Sequence, residues 1–230
     1  MKEIEVHAPG KLFVIGEYAV LHGERALVVA LDAGIVARVE PSRRWRLVAT
    51  DLGLEAPLED VAASPGTALL AAAVAAARGE LRIAEPFTVL VCGSTAAARC
   101  KHGLGGSAAS VVAILAALAA ACGADIEDEA TRSMLFSLAL SVHRAHQHGR
   151  GSGADVAASV YGGWIDYATG EAKPRLSHAE LPDDVRLAAA WSGVASDTAG
   201  AIAAFEPRAH LAALRVVLER FWAAVGDADR

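Results

Sequence analysis

The chain has 230 residues and a mass of 23.7 kDa, room for one large domain or two small ones. With 54% hydrophobic and 21% charged residues it is ordinary globular material, and with 5% aromatic residues its core must be mostly aliphatic and alanine. The net charge of -6, from 21 Lys+Arg against 27 Asp+Glu, argues against a general nucleic-acid binder while leaving room for a local basic pocket.

The start, Met1 to His7, alternates charged and apolar side chains and lacks the apolar stretch of a signal peptide. Short β-rich runs at 4–7, 12–20, 27–31, 35–39 and 45–50, each broken by Gly, Pro or charge, predict strands. Residues 65–78 predict a helix with Pro65 near its first turn, and 87–92 another strand. A polar loop of small residues, 93–105, leads into a strongly apolar helix over 107–122, closed by Gly123. The unbroken apolar run in that helix, Val111 to Cys122, is too short to span a bilayer.

Residues 128–148 predict a helix with Met134, Leu135, Leu138 and Val142 on one stripe. A glycine-rich turn, 149–153, precedes a short helix over 154–160, and Gly162-Gly163 breaks the chain. After it come a strand at 164–167, a proline-containing loop, a strand at 185–191, and helices over 197–205 and 208–225. Strands first and helices later predict an α+β fold, with a boundary near Gly163 that separates 1–163 from 164–230. The three cysteines, Cys92, Cys100 and Cys122, form no CxxC pair, so reduced thiols in a cytoplasm are expected.

Three stretches carry chemistry. In Lys101-His102-Gly103-Leu104-Gly105-Gly106-Ser107-Ala108, three glycines and a serine open a long apolar helix. Glycine lets backbone approach a ligand closely, and the first helical turn offers unpaired N–H groups at the positive end of the dipole. Together these suit a phosphate, and the Ser107 hydroxyl suits a phosphate-bound Mg²⁺. No Lys-Ser/Thr pair follows the glycines, so this is not a Walker A loop, and no βαβ unit surrounds it as a dinucleotide site requires. The plain alternative is a tightly packed helix start that binds nothing.

In the segment from His143 to Ala158, Asp155 follows a glycine turn and starts a short helix. It suits a base or orienting acceptor for an attacking hydroxyl, or simply the helix start itself. His143, Arg144, His146, His148 and Arg150 make this segment locally basic, as an anionic substrate would require. The histidines have no Cys, Asp or Glu among them to complete a zinc site. In Ala8 to Gly23, Lys11 and the Glu17-Tyr18 pair interrupt an apolar strand region, either as a solvated edge or as charge-stabilising and substrate-contacting groups.

In this order and spacing the three stretches resemble the GHMP kinase family. PGKLFVIGEYAVLHG is similar to its N-terminal motif, GLGGSAAS to its phosphate loop, and GRGSGADVAASVYGG to the segment with the catalytic aspartate in the mevalonate and phosphomevalonate branch. The resemblance covers residues 4 to about 205. It implies an N-terminal domain of the ribosomal-protein-S5-like type, a ferredoxin-like C-terminal domain, ATP and Mg²⁺. By this resemblance Asp155 and Lys11 are catalytic, and Lys101, Gly103, Leu104, Gly105, Gly106, Ser107 and Ala108 hold ATP, with Ser107 also on the metal. Glu17, Tyr18, His143, Arg144, Gln147, Arg150 and Ser152 then hold the substrate.

Within the family the phosphomevalonate kinase branch fits best, through GEYAVLHG, the His and Gln of HRAHQHGRGSGADVA, and WSGVASDT. Where mevalonate kinases usually carry a metal-binding glutamate upstream of the aspartate, this sequence has Arg144, which suits a substrate already bearing a phosphate. Gly106 replaces the first serine of the family's usual pair, and the family's third glycine-rich motif has no match after Gly163. The expected C-terminal domain is therefore shortened or incomplete. The expected function is ATP-dependent phosphorylation of 5-phosphomevalonate in a cytoplasmic enzyme of isoprenoid biosynthesis, with a homodimer left open and no nucleic-acid or membrane partner. Mevalonate kinase, another small-molecule kinase of the family, and a non-catalytic binding homologue are the alternatives.

Overall fold

The computed structural model describes residues 3–61, 67–95, 103–149, 151–170, 173–181, 186–190, 200 and 204–225. It is a mixed α+β architecture built on one seven-stranded sheet. Strands β1 (Ile4–Ile15) and β2 (Arg25–Pro41) form a long antiparallel pair, with β3 (Arg46–Ala49) and β4 (Leu54–Pro57) following. Strands β5 (Phe87–Gly93), β6 (Trp164–Ala168) and β7 (Arg175–His178) complete the sheet. Beyond β1, β2 is flanked by two strands end to end: β5 on its C-terminal half and β6 on its N-terminal half. β3 and β4 extend the sheet from β5, and β7 extends it from β6. Only the β3–β5 pairing is parallel.

The breaks expected at Pro9-Gly10 and near Gly34 are absorbed instead as a register shift inside one long pair. β1 pairs only with β2, so Pro9, which has no N–H to donate, is tolerated on an edge strand beside an irregularity. The strand expected to reach Val20 ends at Ile15, and Ala19–His22 is a 3₁₀ turn closed by Gly23. The proline loop after β6 contains the edge strand β7, which was not expected. The strand expected over 185–191 is absent from its described residues, 186–190, which are irregular and exposed. β-propensity alone does not make a strand. The helix expected over 197–205 falls mostly outside the described residues.

Helices α1 (Leu58–Val61), α2 (Ala68–Glu80), α3 (Gly106–Ala121), α4 (Glu129–His146) and α5 (Ala154–Tyr161) precede the last one, α6 (Pro207–Ala224). α3 is the hub. Eleven of its residues, from Ala108 to Ala119, are buried, and it packs on β1, β2, α2, α4 and α5. Its alanines let those neighbours approach closely, which is why the low aromatic content still fills a core. On β2, Ala26 and Val28 join this core, whereas Leu27, pointing to the opposite face, packs with Ala19, Leu218 and Trp222. α6 thus covers the other face of the sheet. It is fastened there by Arg25, which lies 3.7 Å from the Trp222 ring and grips Asp166 of β6 through two hydrogen bonds.

Candidate active site

Two helices begin near each other beside the register shift at Pro9-Gly10 in the β1–β2 pair, and both begin on glycine. Gly105 caps α3 with φ 80° and Gly153 caps α5 with φ 88°, so neither helix has a side-chain cap. These positions need glycine for space as well as for left-handed backbone. A Cβ on Gly105 would stand 2.7 Å from Lys11 Cγ, and one on Gly153 would stand 2.3 Å from Leu140 Cδ1. α4, by contrast, is capped in the ordinary way by Asp128, which accepts from the Thr131 N–H.

The two uncapped starts differ in what is left over. In α5 the Ala154 N–H is taken by Ser152 Oγ at 3.3 Å and the Val156 N–H by Asp155 Oδ1 at 2.9 Å. In α3 no side chain among the described residues accepts from the N–H groups of Gly106, Ser107 or Ala108, and Gly106 and Ser107 are exposed. With no side-chain acceptor among the described residues and the positive dipole end exposed, the α3 start suits an anion. α5 carries its own anion, Asp155.

Lys11 joins the two. Its backbone N–H donates to Leu104 O at 2.8 Å, and its Nζ donates to Gly103 O at 3.2 Å. Burial lowers its pKa, and the negative charges of Asp155 and Glu17 oppose that shift. α5 is tied to the same strand by Ser159 Oγ, which donates to Pro9 O at 2.8 Å.

His143, in the last turn of α4, lies between the two helix starts and is 1% exposed. Its Nε2 is 2.9 Å from Ser107 Oγ, and its Nδ1 is 3.8 Å from Asp155 Oδ2. Burial lowers its pKa, which the Asp155 charge opposes and His146 reinforces. Gln147, one turn on, places its amide nitrogen 3.5 Å from the same Nε2.

Arg144 donates from Nη2 to Ser152 O at 3.0 Å, and among the described residues no carboxylate pairs with it. Tyr167 of β6, which the sequence did not single out, donates its hydroxyl to the same carbonyl at 2.7 Å. Nothing local marks Tyr167, because its partner is fifteen residues away and on the opposite side of the glycine turn. Glu17 is exposed, and the Tyr18 ring stacks on Phe205 with centroids 5.2 Å apart. The structure thus gathers Lys11, Gly103, Leu104, Gly105, Gly106, Ser107 and Ala108 with His143, Gln147 and Asp155 around two helix starts, and Arg144 and Ser152 beside them. Lys101 and Arg150 lie outside the described residues.

Burial pushes the Tyr167 hydroxyl up to about 12, helped by the Asp155 charge and opposed by Arg144. A tyrosine ordinarily titrates near 10, so the folded state gains stability from this group below about pH 10 and loses it as pH rises toward 12. Tyr167→Phe is expected to cost about 1 kcal/mol at neutral pH through the lost hydrogen bond. In urea titrations the gap between variant and parent should then close above pH 10. A gap independent of pH would place the hydroxyl outside this bond.

Residues 70–163 match the N-terminal domain of the GHMP kinases, so the chain carries a GHMP kinase N-terminal domain. Among curated relatives it is 33% identical over 212 residues to the phosphomevalonate kinase of Streptomyces sp. (strain CL190), covering 81% of this chain and 55% of that protein. It is also 33% identical over 174 residues to the mevalonate kinase of Aeropyrum pernix, covering 71% and 50%. The chain spans about half the length of these curated relatives. The Streptococcus pneumoniae phosphomevalonate kinase solved with phosphomevalonate and AMPPNP shares the fold at TM-score 0.77, with 18% identity, over 98% of this chain and 75% of that one. The Lin0012 protein of Listeria innocua does so at TM-score 0.78, with 22% identity, over 99% and 74%. The chain is thus similar to phosphomevalonate and mevalonate kinases.

Proposed function

We propose that the chain phosphorylates 5-phosphomevalonate to 5-diphosphomevalonate at the expense of ATP. The observation that supports this most is the division of labour between the helix starts: α3 has N–H donors without a side-chain acceptor among the described residues, beside Lys11, and α5 carries a carboxylate facing the same space. The α3 start fits a polyphosphate, since a Cβ at Gly103 or Gly106 would meet nothing within 4 Å, so backbone there is open to a ligand. Lys101, Gly103, Leu104, Gly105, Gly106, Ser107 and Ala108 would hold ATP phosphates. Among the described residues no three His, Cys, Asp or Glu side chains cluster as a metal cage. Mg²⁺ takes few protein ligands and keeps phosphate oxygens and water, and here Ser107 would be its ligand.

ATP supplies the phosphoryl group and Mg²⁺ offsets its charge. Lys11 adds positive charge beside the loop. Asp155 orients the acceptor and takes its proton. Arg144, whose guanidinium has no carboxylate partner among the described residues, would meet the phosphate that the acceptor already carries, and Glu17, Tyr18, His143, Gln147, Arg150 and Ser152 would supply the other substrate contacts. The division at Gly163 is retained as a proposal. It is supported by the end of the family match there, although sheet pairing continues past it into β6. Among the described helices none is long and apolar enough to cross a membrane.

The test is turnover of ATP with phosphomevalonate and mevalonate offered in parallel. Turnover of phosphomevalonate in preference to mevalonate is expected. Turnover of mevalonate alone would move the assignment to that branch, and turnover of neither would leave a binding protein. Ser107→Ala is expected to weaken Mg·ATP binding about tenfold, with an unchanged circular dichroism spectrum, because the side chain is exposed at a helix start. An unfolded variant would mark Ser107 as structural and remove support for the metal role.

A further inference from the structure

We propose that His143 is a positioning residue, held as the Nδ1–H tautomer, that fixes the direction of the Ser107 hydroxyl and couples the nucleotide side of the cleft to Asp155. Its role in turnover rests on the kinase reading above, but its geometry does not.

The ring lies between three groups. Nδ1 faces the Asp155 carboxylate at 3.8 Å, and Nε2 faces Ser107 Oγ at 2.9 Å and the Gln147 amide nitrogen at 3.5 Å. Were the proton on Nε2, the Nδ1 lone pair would point at a carboxylate inside a buried site, and the Gln147 N–H donors would point at an N–H. With the proton on Nδ1 both conflicts disappear: the N–H dipole points at the anion, and the single Nε2 lone pair accepts from Ser107 at 2.9 Å, with the Gln147 N–H directed at it more weakly from 3.5 Å. The amide orientation of Gln147 that this needs has its oxygen against Gly151, where a Cβ would lie 2.3 Å from Oε1. Gly151 leaves room for it.

A consequence follows for Ser107. Its hydroxyl proton is committed inward to Nε2, so both oxygen lone pairs face outward from the start of α3. The serine is thereby presented as an acceptor, the form in which a hydroxyl can ligate a cation. The Val156 N–H holds the other Asp155 oxygen, so the carboxylate is steadied from both sides. One imidazole would therefore set both the acceptor-side carboxylate and the nucleotide-side hydroxyl, as outer groups do for ligands in metal sites.

The test is two-bond ¹H–¹⁵N NMR on the full chain with ¹⁵N-imidazole histidine, the signal being assigned by its loss in His143→Gln. The expected result is a proton-bearing Nδ1 and a lone-pair Nε2. Asp155→Asn should abolish the single-tautomer pattern, because the anion facing Nδ1 is gone. An Nε2–H tautomer in the parent chain would overturn the proposal whether or not the chain turns over phosphomevalonate. In turnover, His143→Ala is expected to lose about 10–100-fold in kcat. Adding Ser107→Ala to it should cost less than Ser107→Ala costs alone, and full additivity of the two losses would also overturn it. Should the parent chain be inactive with every acceptor, the kinase reading fails while the NMR result still decides the tautomer.

Discussion

Asp155→Asn should lower turnover by about 10²–10⁴-fold while leaving ATP binding nearly unchanged. The side chain sits in the first turn of α5, with one oxygen held by the Val156 N–H and the other turned toward His143. Asparagine has the same size and can still offer its oxygen to Val156, so the helix start is preserved. Its NH₂ would then face His143 and could not take a proton from an acceptor hydroxyl. The α3 start, where the nucleotide phosphates are placed, is untouched by the change. Turnover by stopped assay and ATP binding by calorimetry separate the two effects, and near-parental turnover would remove Asp155 from the mechanism.

Much of this arrangement was legible in the chain because its signals are local. A glycine run before an apolar helix announces the α3 start, and a glycine turn before Ala154-Asp155 announces α5. The hub role of α3 followed from a run that is apolar on every face. What the residues did not announce is long-range. Whether Pro9-Gly10 ends a strand or bends one depends on whether a partner strand can take up the irregularity, and β2 does. β7 is a strand only because the free edge of β6 pairs with it. His143 could be marked as a polar group on a helix near Asp155. That its ring also reaches Ser107, thirty-six residues earlier, depends on α3 and α4 packing side by side. Tyr167 carried no mark at all, since its hydroxyl matters only after the 149–153 turn has folded over it.

Substrate choice should turn on Arg144. Its guanidinium is fixed by one hydrogen bond to Ser152 O, and its remaining donors meet no carboxylate among the described residues. A phosphate dianion brought there gains charge-assisted hydrogen bonds, each roughly twice as strong as a neutral one, and the planar fork can grip two oxygens at once. Mevalonate has no phosphate to offer, so those donors stay hydrated in its complex. The parent chain is therefore expected to bind phosphomevalonate in preference to mevalonate by about 10–100-fold, the equivalent of one hydrogen bond to a charged group. Arg144→Glu should abolish or invert the preference by placing a like charge against the phosphate. It also removes the bond to Ser152 O, so Arg144→Gln, which keeps an N–H donor without the charge, separates the two effects. Loss of preference in both variants, with unchanged circular dichroism in the glutamine one, would assign the discrimination to the charge. Equal binding of the two compounds to the parent chain by calorimetry would defeat this reading and return the assignment to the wider family.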